Sequence, residues 1–154
     1  MASKGRILVV DDDPHAVEIL TRMLEREGYE CLAAESGQAA LQTLRENPVD
    51  VLLLDVMMPE MDGLQVCERL QADEDLRQIP VMLLTARDDY PTRERGMNLG
   101  VMEFLTKPVN KRELFARIEA QLHAREIGRK LSETDAAVGS SDAPPRKDDG
   151  SDGN

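Results

Sequence analysis

Along the chain, short apolar runs alternate with longer segments whose apolar residues recur every three or four positions. Residues 7–10, 29–34, 51–54, 81–84 and 103–106 read as strands. The run 51–54 is apolar throughout, as expected of a strand covered on both faces, while 29–34 reads as more exposed. Between the strands, Asp13-Pro14 has the form of a helix start, with a capping Asp and Pro at the first helical position. Val17, Leu20 and Leu24 carry that helix to Gly28. Ser36-Gly37 opens a second helix with Ala40, Leu41 and Leu44 on one face, stopped by Asn47-Pro48. A loop from Met57 to Gly63 follows the third strand, with Pro59 and Asp62-Gly63 as turn signals. Residues 64–70 and the polar stretch 91–99 give two more helices. Residues 112–122 give a fifth, with Leu114, Ile118 and Leu122 as its apolar stripe. This alternation predicts an α/β fold, a doubly wound parallel sheet with helices on both faces.

The pattern places one domain over residues 6–124. Residues 125–131 extend the last helix, since Ile127 and Leu131 lie four apart. From 132 to 154 the chain is mostly Ser, Asp, Gly, Ala and Pro, too poor in large apolar side chains to offset its ordering entropy, and reads as a disordered tail. Composition then narrows the function classes. A net charge of −11 argues against the chain binding nucleic acid by itself, because phosphate contacts need Lys and Arg. Aromatics at 3% without Trp argue against a stacking platform for single strands. Cys31 and Cys67, in separate apolar segments, read as small buried hydrophobes rather than a disulfide. No run reaches the length of a membrane span, and the N-terminus enters the first strand without the apolar core of a signal peptide. The expectation is a cytoplasmic protein without membrane contact.

The chemistry gathers at the strand ends. Asp11-Asp12, Asp55, Thr85 and Lys107 each close an apolar run, and in a parallel sheet those ends share one rim where ligands bind. Three carboxylates in one pocket suit a magnesium ion, which takes oxygen ligands, keeps several waters and binds through a few carboxylates plus phosphate oxygens. Without a cation the acids repel one another. A carboxylate such as Asp55 can attack a phosphoryl group to give an aspartyl phosphate. The surrounding parts then need only hold and neutralise oxygens. Lys107 supplies a point charge, Thr85 a hydroxyl and Ala86 the adjacent amide. Lys107-Pro108 is a bond that tolerates the cis form, although trans is the ordinary expectation. His15 reads as a surface histidine in a first helical turn, and Met57-Met58 as packing residues rather than copper ligands.

These residues, in the segments ILVVDDDP, LLLDVMMPEMDG, VMLLTA and FLTKP, resemble the receiver domain of bacterial two-component response regulators, the CheY-like family. The resemblance covers residues 6–122 and implies the flavodoxin-like strand order 2-1-3-4-5. It implies Asp55 as phosphoacceptor, Asp12 as a direct magnesium ligand, Asp11 as a ligand through water and the backbone carbonyl of Met57 as the third protein ligand. Thr85 and Lys107 fall on the residues that sense the phosphoryl group, and Phe104 on the aromatic that turns inward on activation. The plain alternative for Phe104 is a core aromatic at a strand end. The implied donor is a phosphohistidine on a sensor histidine kinase or a histidine phosphotransfer protein, with acetyl phosphate as a small substitute. The implied output is a downstream protein on the face of helix four, strand five and helix five, including Arg93, Glu94, Met97, Val101, Lys111 and Arg112. Dimerisation through the same face is a further expectation. Met57 and Arg87, two residues beyond Asp55 and Thr85, are placed to obstruct an attacking water and slow dephosphorylation.

Three readings stand within signalling: a stand-alone interaction module, a phosphorelay intermediate passing the group onward, and the receiver portion of a longer regulator. In each, the chain catalyses only its own phosphorylation and dephosphorylation. A hydrolase of the haloacid dehalogenase type also uses an Asp nucleophile and magnesium. It needs an acid two residues after the nucleophile, where this chain has Met57.

Overall fold

A computed structural model of the chain describes residues 3–86, 89–101 and 103–139, with side chains described as far as residue 128. Five strands, β1 (Arg6–Val10), β2 (Glu30–Ala34), β3 (Val51–Asp55), β4 (Val81–Thr85) and β5 (Glu103–Thr106), alternate with five helices. The helices are α1 (Pro14–Arg26), α2 (Gly37–Glu46), α3 (Gly63–Gln71), α4 (Tyr90–Asn98) and α5 (Lys111–Gly139). All the strand pairs are parallel, in the order β2-β1-β3-β4-β5. The doubly wound α/β expectation holds.

Side chains of a strand alternate between faces, and both parities of the central strands are buried. Leu8, Val10, Leu52, Leu54 and Leu83 form one core cluster with Ala40, Leu41 and Leu44 of α2 and Leu64, Val66, Cys67 and Leu70 of α3. The opposite parity, Ile7, Val9, Val51, Leu53, Met82, Leu84 and Leu105, is also buried, as are Val17, Leu20 and Leu24 of α1 and Leu114 and Ile118 of α5. Burial on both faces explains why the central runs are apolar without alternation. β2, at the edge, shows the mixed burial expected of its polar pattern.

Each helix start is fixed by a side chain that accepts from an otherwise orphaned amide, an interaction worth about 1 kcal/mol. Asp13 accepts from His15 N–H, Ser36 from Ala39 N–H and Asp89 from Thr92 N–H. Asp62 accepts from Gln65 N–H at 2.8 Å while Gln65 Oε1 accepts from Asp62 N–H at 2.9 Å, a reciprocal capping box. That box starts α3 at Gly63, one residue before the apolar pattern does.

The last helix departs most from expectation. It runs to Gly139, so residues 132–139, expected in the tail, are helical, while 140–154 lie outside the described residues. Glu133, Ala136 and Ala137 are good helix formers, and the helix ends at glycine. The described residues divide into two compact units at Glu119/Ala120. The Lys107-Pro108 bond is cis, against the ordinary expectation of trans. Cys31 is half-buried and Cys67 buried, both free, and burial pushes their thiols up to about 11 and about 12. Among the described residues, no helix is long and apolar enough to cross a membrane.

Glu60, in the loop after β3, has φ of 67°, a region that costs an L side chain about 1 kcal/mol. Glu60→Gly is therefore expected to raise unfolding stability by about that amount in a urea titration. An unchanged or lowered midpoint would show that the Glu60 side chain compensates for its backbone.

Candidate functional site

β1 and β3 pair in register from Ile7↔Val51 to Val10↔Leu54, so Asp11 and Asp55 stand side by side where the two strands end. Both are 3% exposed. Asp12 follows on the surface, and one carboxylate oxygen from each of Asp11, Asp12 and Asp55 lies within 4.8 Å of the other two. Asp13, next in the chain, is occupied in capping α1. Its N–H donates to Asp11 Oδ1 at 3.0 Å and fixes that carboxylate.

The opposing charge arrives from β5. Lys107 N–H donates to the Thr85 carbonyl at 2.9 Å, extending the β4–β5 ladder past the strand end. Lys107 Nζ then lies 2.5 Å from Asp55 Oδ1 and 3.9 Å from Asp11 Oδ2. Its side chain is 42% exposed, so the ammonium stays partly hydrated while its carboxylate partners do not. Burial, the largest effect, raises the Asp55 and Asp11 carboxyls above their ordinary value. At Asp55 the Lys107 contact only partly offsets it and repulsion from Asp11 and Asp12 adds to it; at Asp11 the Asp13 N–H and Lys107 offset it in part and Asp12 adds to it.

Thr85 is 2% exposed, and its hydroxyl has no hydrogen-bond partner among the described residues. A buried hydroxyl left unpaired is costly, which makes it a waiting donor. Ala86 is exposed at the next position, and its carbonyl accepts from Asp89 N–H. Met57, two residues past Asp55, is 73% exposed, so it borders the site, whereas Met58 packs in the core as expected. Arg87 lies outside the described residues. Phe104 is half-buried against the core cluster, on the same strand face as Thr106. Of the residues expected on the output face, Arg93, Glu94, Met97, Lys111 and Arg112 are at least partly exposed. Val101 is 5% exposed and belongs to the core, because it follows the Gly100 turn inward. His15 is exposed in the first turn of α1.

Two features escaped the sequence reading. A Cβ on Gly63 would lie 2.7 Å from the Asp55 carbonyl oxygen, so only glycine lets the loop return directly over the strand end. The Asp62-Gly63 pair signalled a turn but not this approach. Arg93 of α4 donates to Thr106 Oγ1 at 2.6 Å, joining α4 to the residue before Lys107, and nothing in the sequence pattern marks that pair.

The response regulator receiver domain model matches residues 7–119. The chain belongs to the response regulator receiver family. This receiver is 38% identical over 128 residues to the alkaline phosphatase synthesis transcriptional regulatory protein PhoP of Bacillus subtilis, covering 83% of this chain and 52% of PhoP. It is 45% identical over 116 residues to the response regulator PleD of Caulobacter vibrioides, covering 75% of this chain and 26% of PleD. The chain thus spans about half of one relative and a quarter of the other. Among solved structures, the signal receiver domain of a histidine kinase from Syntrophus aciditrophicus superposes with a TM-score of 0.73 at 37% identity, covering 78% of this chain and 91% of that one. The receiver works in two-component signalling, and its family generally binds magnesium.

The raised carboxyls give a signed pH dependence. The native receiver holds these protons more tightly than the unfolded chain. Its metal-free stability therefore falls as pH rises from 3.8 through the raised folded values, and the deficit persists at neutral pH. Asp55→Asn is expected to stabilise the metal-free protein at pH 7 and to lose that advantage near pH 3, by urea denaturation. A destabilised variant at pH 7 would show that the Lys107 pair outweighs desolvation.

Proposed function

We propose that this receiver accepts a phosphoryl group on Asp55 from a phosphohistidine of a sensor histidine kinase or phosphotransfer protein, in the cytoplasm. The observation that carries the reading is the buried Asp55 carboxylate between a second buried acid and Lys107. A carboxylate so confined has few positions open to it, which is the positioning that phosphoryl transfer needs.

The donor set fits magnesium: three carboxylates with clustered oxygens, all hard ligands, in a pocket whose excess negative charge a dication would relieve. Asp12 and Asp55 would hold the ion directly, with the Met57 carbonyl as a further ligand and Asp11 through water. When bound, the cation neutralises charge on the transferring group. The chain's own residues do the rest. The Asp55 carboxylate oxygen attacks phosphorus, and the leaving imidazole departs with its electron pair. Lys107 then exchanges its Asp55 contact for one on a phosphoryl oxygen. The Thr85 hydroxyl donates to a second oxygen and the Ala86 amide stands beside it. The chain turns over no external substrate; it catalyses only its own phosphorylation and dephosphorylation.

Output follows from the movement of Thr85. The face of α4, β5 and α5 changes its preferred arrangement and takes up a downstream protein or a second copy. The length of the relatives supports a second reading, in which this receiver governs an effector domain. PhoP is by name a transcriptional regulatory protein, so the expected absence of nucleic-acid contact has no support from the relatives.

Intact-protein mass after incubation with acetyl phosphate and magnesium tests the nucleophile. A phosphoryl adduct is expected on the wild type and none on Asp55→Asn; equal adducts on both would move the acceptor elsewhere. Lifetime tests the rim. Replacing Met57 and Arg87 together by Ala is expected to shorten the adduct's half-life several-fold, and an unchanged half-life would remove both side chains from the hydrolytic path.

A further inference from the structure

α4 is a polar helix with one buried residue, Gly96. Its seat lies on β5. Leu83 and Phe104 are registered neighbours on β4 and β5, as are Thr85 and Thr106 two residues on, so all four share one face of the sheet. Arg93 and Gly96, three apart, share one face of α4. Arg93 Nη2 donates to Thr106 Oγ1 at 2.6 Å. A Cβ added to Gly96 would lie 2.9 Å from Phe104 Cε1, 3.1 Å from its Cζ and 3.3 Å from Leu83 Cδ1. The Phe104 ring therefore lies directly beneath the helix backbone, in space that a single methyl group would claim.

We propose that Gly96 is the seat that admits the Phe104 ring under α4, and that any side chain at this position drives the ring outward. This rests on the reading of Phe104 as the switch aromatic and adds the residue that sets its populations. The first atoms met are at the far end of the ring, which can turn about χ1, whereas Leu83 is locked in the core. Turning the ring is the smaller adjustment. Glycine also costs a helix interior stability relative to alanine, so its presence here has a packing reason rather than a helical one.

The chain has two phenylalanines, so biosynthetic 4-fluorophenylalanine gives two fluorine resonances, and Phe115→Leu assigns them. In the full chain, Gly96→Ala is expected to shift the Phe104 resonance and enlarge its water-to-deuterium-oxide isotope shift, in the absence of any phosphoryl mimic. A Phe104 resonance and isotope shift equal to wild type, with α4 displaced instead, would overturn the proposal. Thermal melting gives a second arm. Gly96→Ala is expected to raise the melting temperature more in a Phe104→Leu background than in wild type; an equal change in both would also overturn it. Should Gly96→Ala fail to fold, rescue by Phe104→Leu supports the clash with the ring, and failure of the double variant refutes it. Magnesium and beryllofluoride added to wild type test the underlying reading separately. A Phe104 resonance that ignores the mimic while still moving in Gly96→Ala would leave the seat standing and remove the switch.

Discussion

Asp11 and Asp55 are buried side by side at the ends of registered strands, with one partly hydrated ammonium between them and the solvent. Desolvation of two like charges at this separation is unfavourable, and a single Lys107 at 2.5 Å from one and 3.9 Å from the other compensates unevenly. This excess of buried negative charge favours an added cation, on which the proposed phosphoryl transfer depends. Much of the surrounding structure serves to hold these acids where solution chemistry would separate them.

The sheet does most of that holding. Burial of both faces of β1, β3 and β4 removes any freedom for those strands to shift, and the parallel register brings their ends to one rim. The loop after β3 can close over Asp55 only because Gly63 has no side chain, and the Asp62–Gln65 capping box fixes where α3 begins. α4, by contrast, is attached lightly, through Arg93 and Gly96, to the strand that leads into Lys107. Elements with few buried side chains are the ones free to change arrangement at low cost. Rigid support beneath the acids and a loosely seated helix beside them are the two conditions a switch requires.

The sequence made the sheet legible because both-face burial leaves apolar runs too short for helices, bounded by Asp, Gly and Pro. Asp11, Asp55 and Thr85 were legible for the same reason, each being the first polar residue after such a run, with Asp12 next to Asp11 and Lys107 one residue past Thr106. What the pattern could not carry were contacts between elements distant in sequence. The burial of Val101 follows from a turn at Gly100 with φ of 90°, which no periodicity encodes. The Arg93–Thr106 pair and the approach of Gly63 to Asp55 depend on packing distances rather than on residue type. The continuation of α5 to Gly139 follows from the local helix propensity of Glu133, Ala136 and Ala137, which the tail-like composition of the segment masks.

The most direct measurement is a pH titration of the aspartate side-chain carboxyl carbons by carbon-13 NMR on the metal-free receiver. The account predicts that Asp55 and Asp11 titrate above the ordinary value of 3.8, and that saturating magnesium brings both down. Titration of both at or below 3.8 without metal would contradict it, because the rim would then hold its charges at ease and have no electrostatic reason to take up a cation.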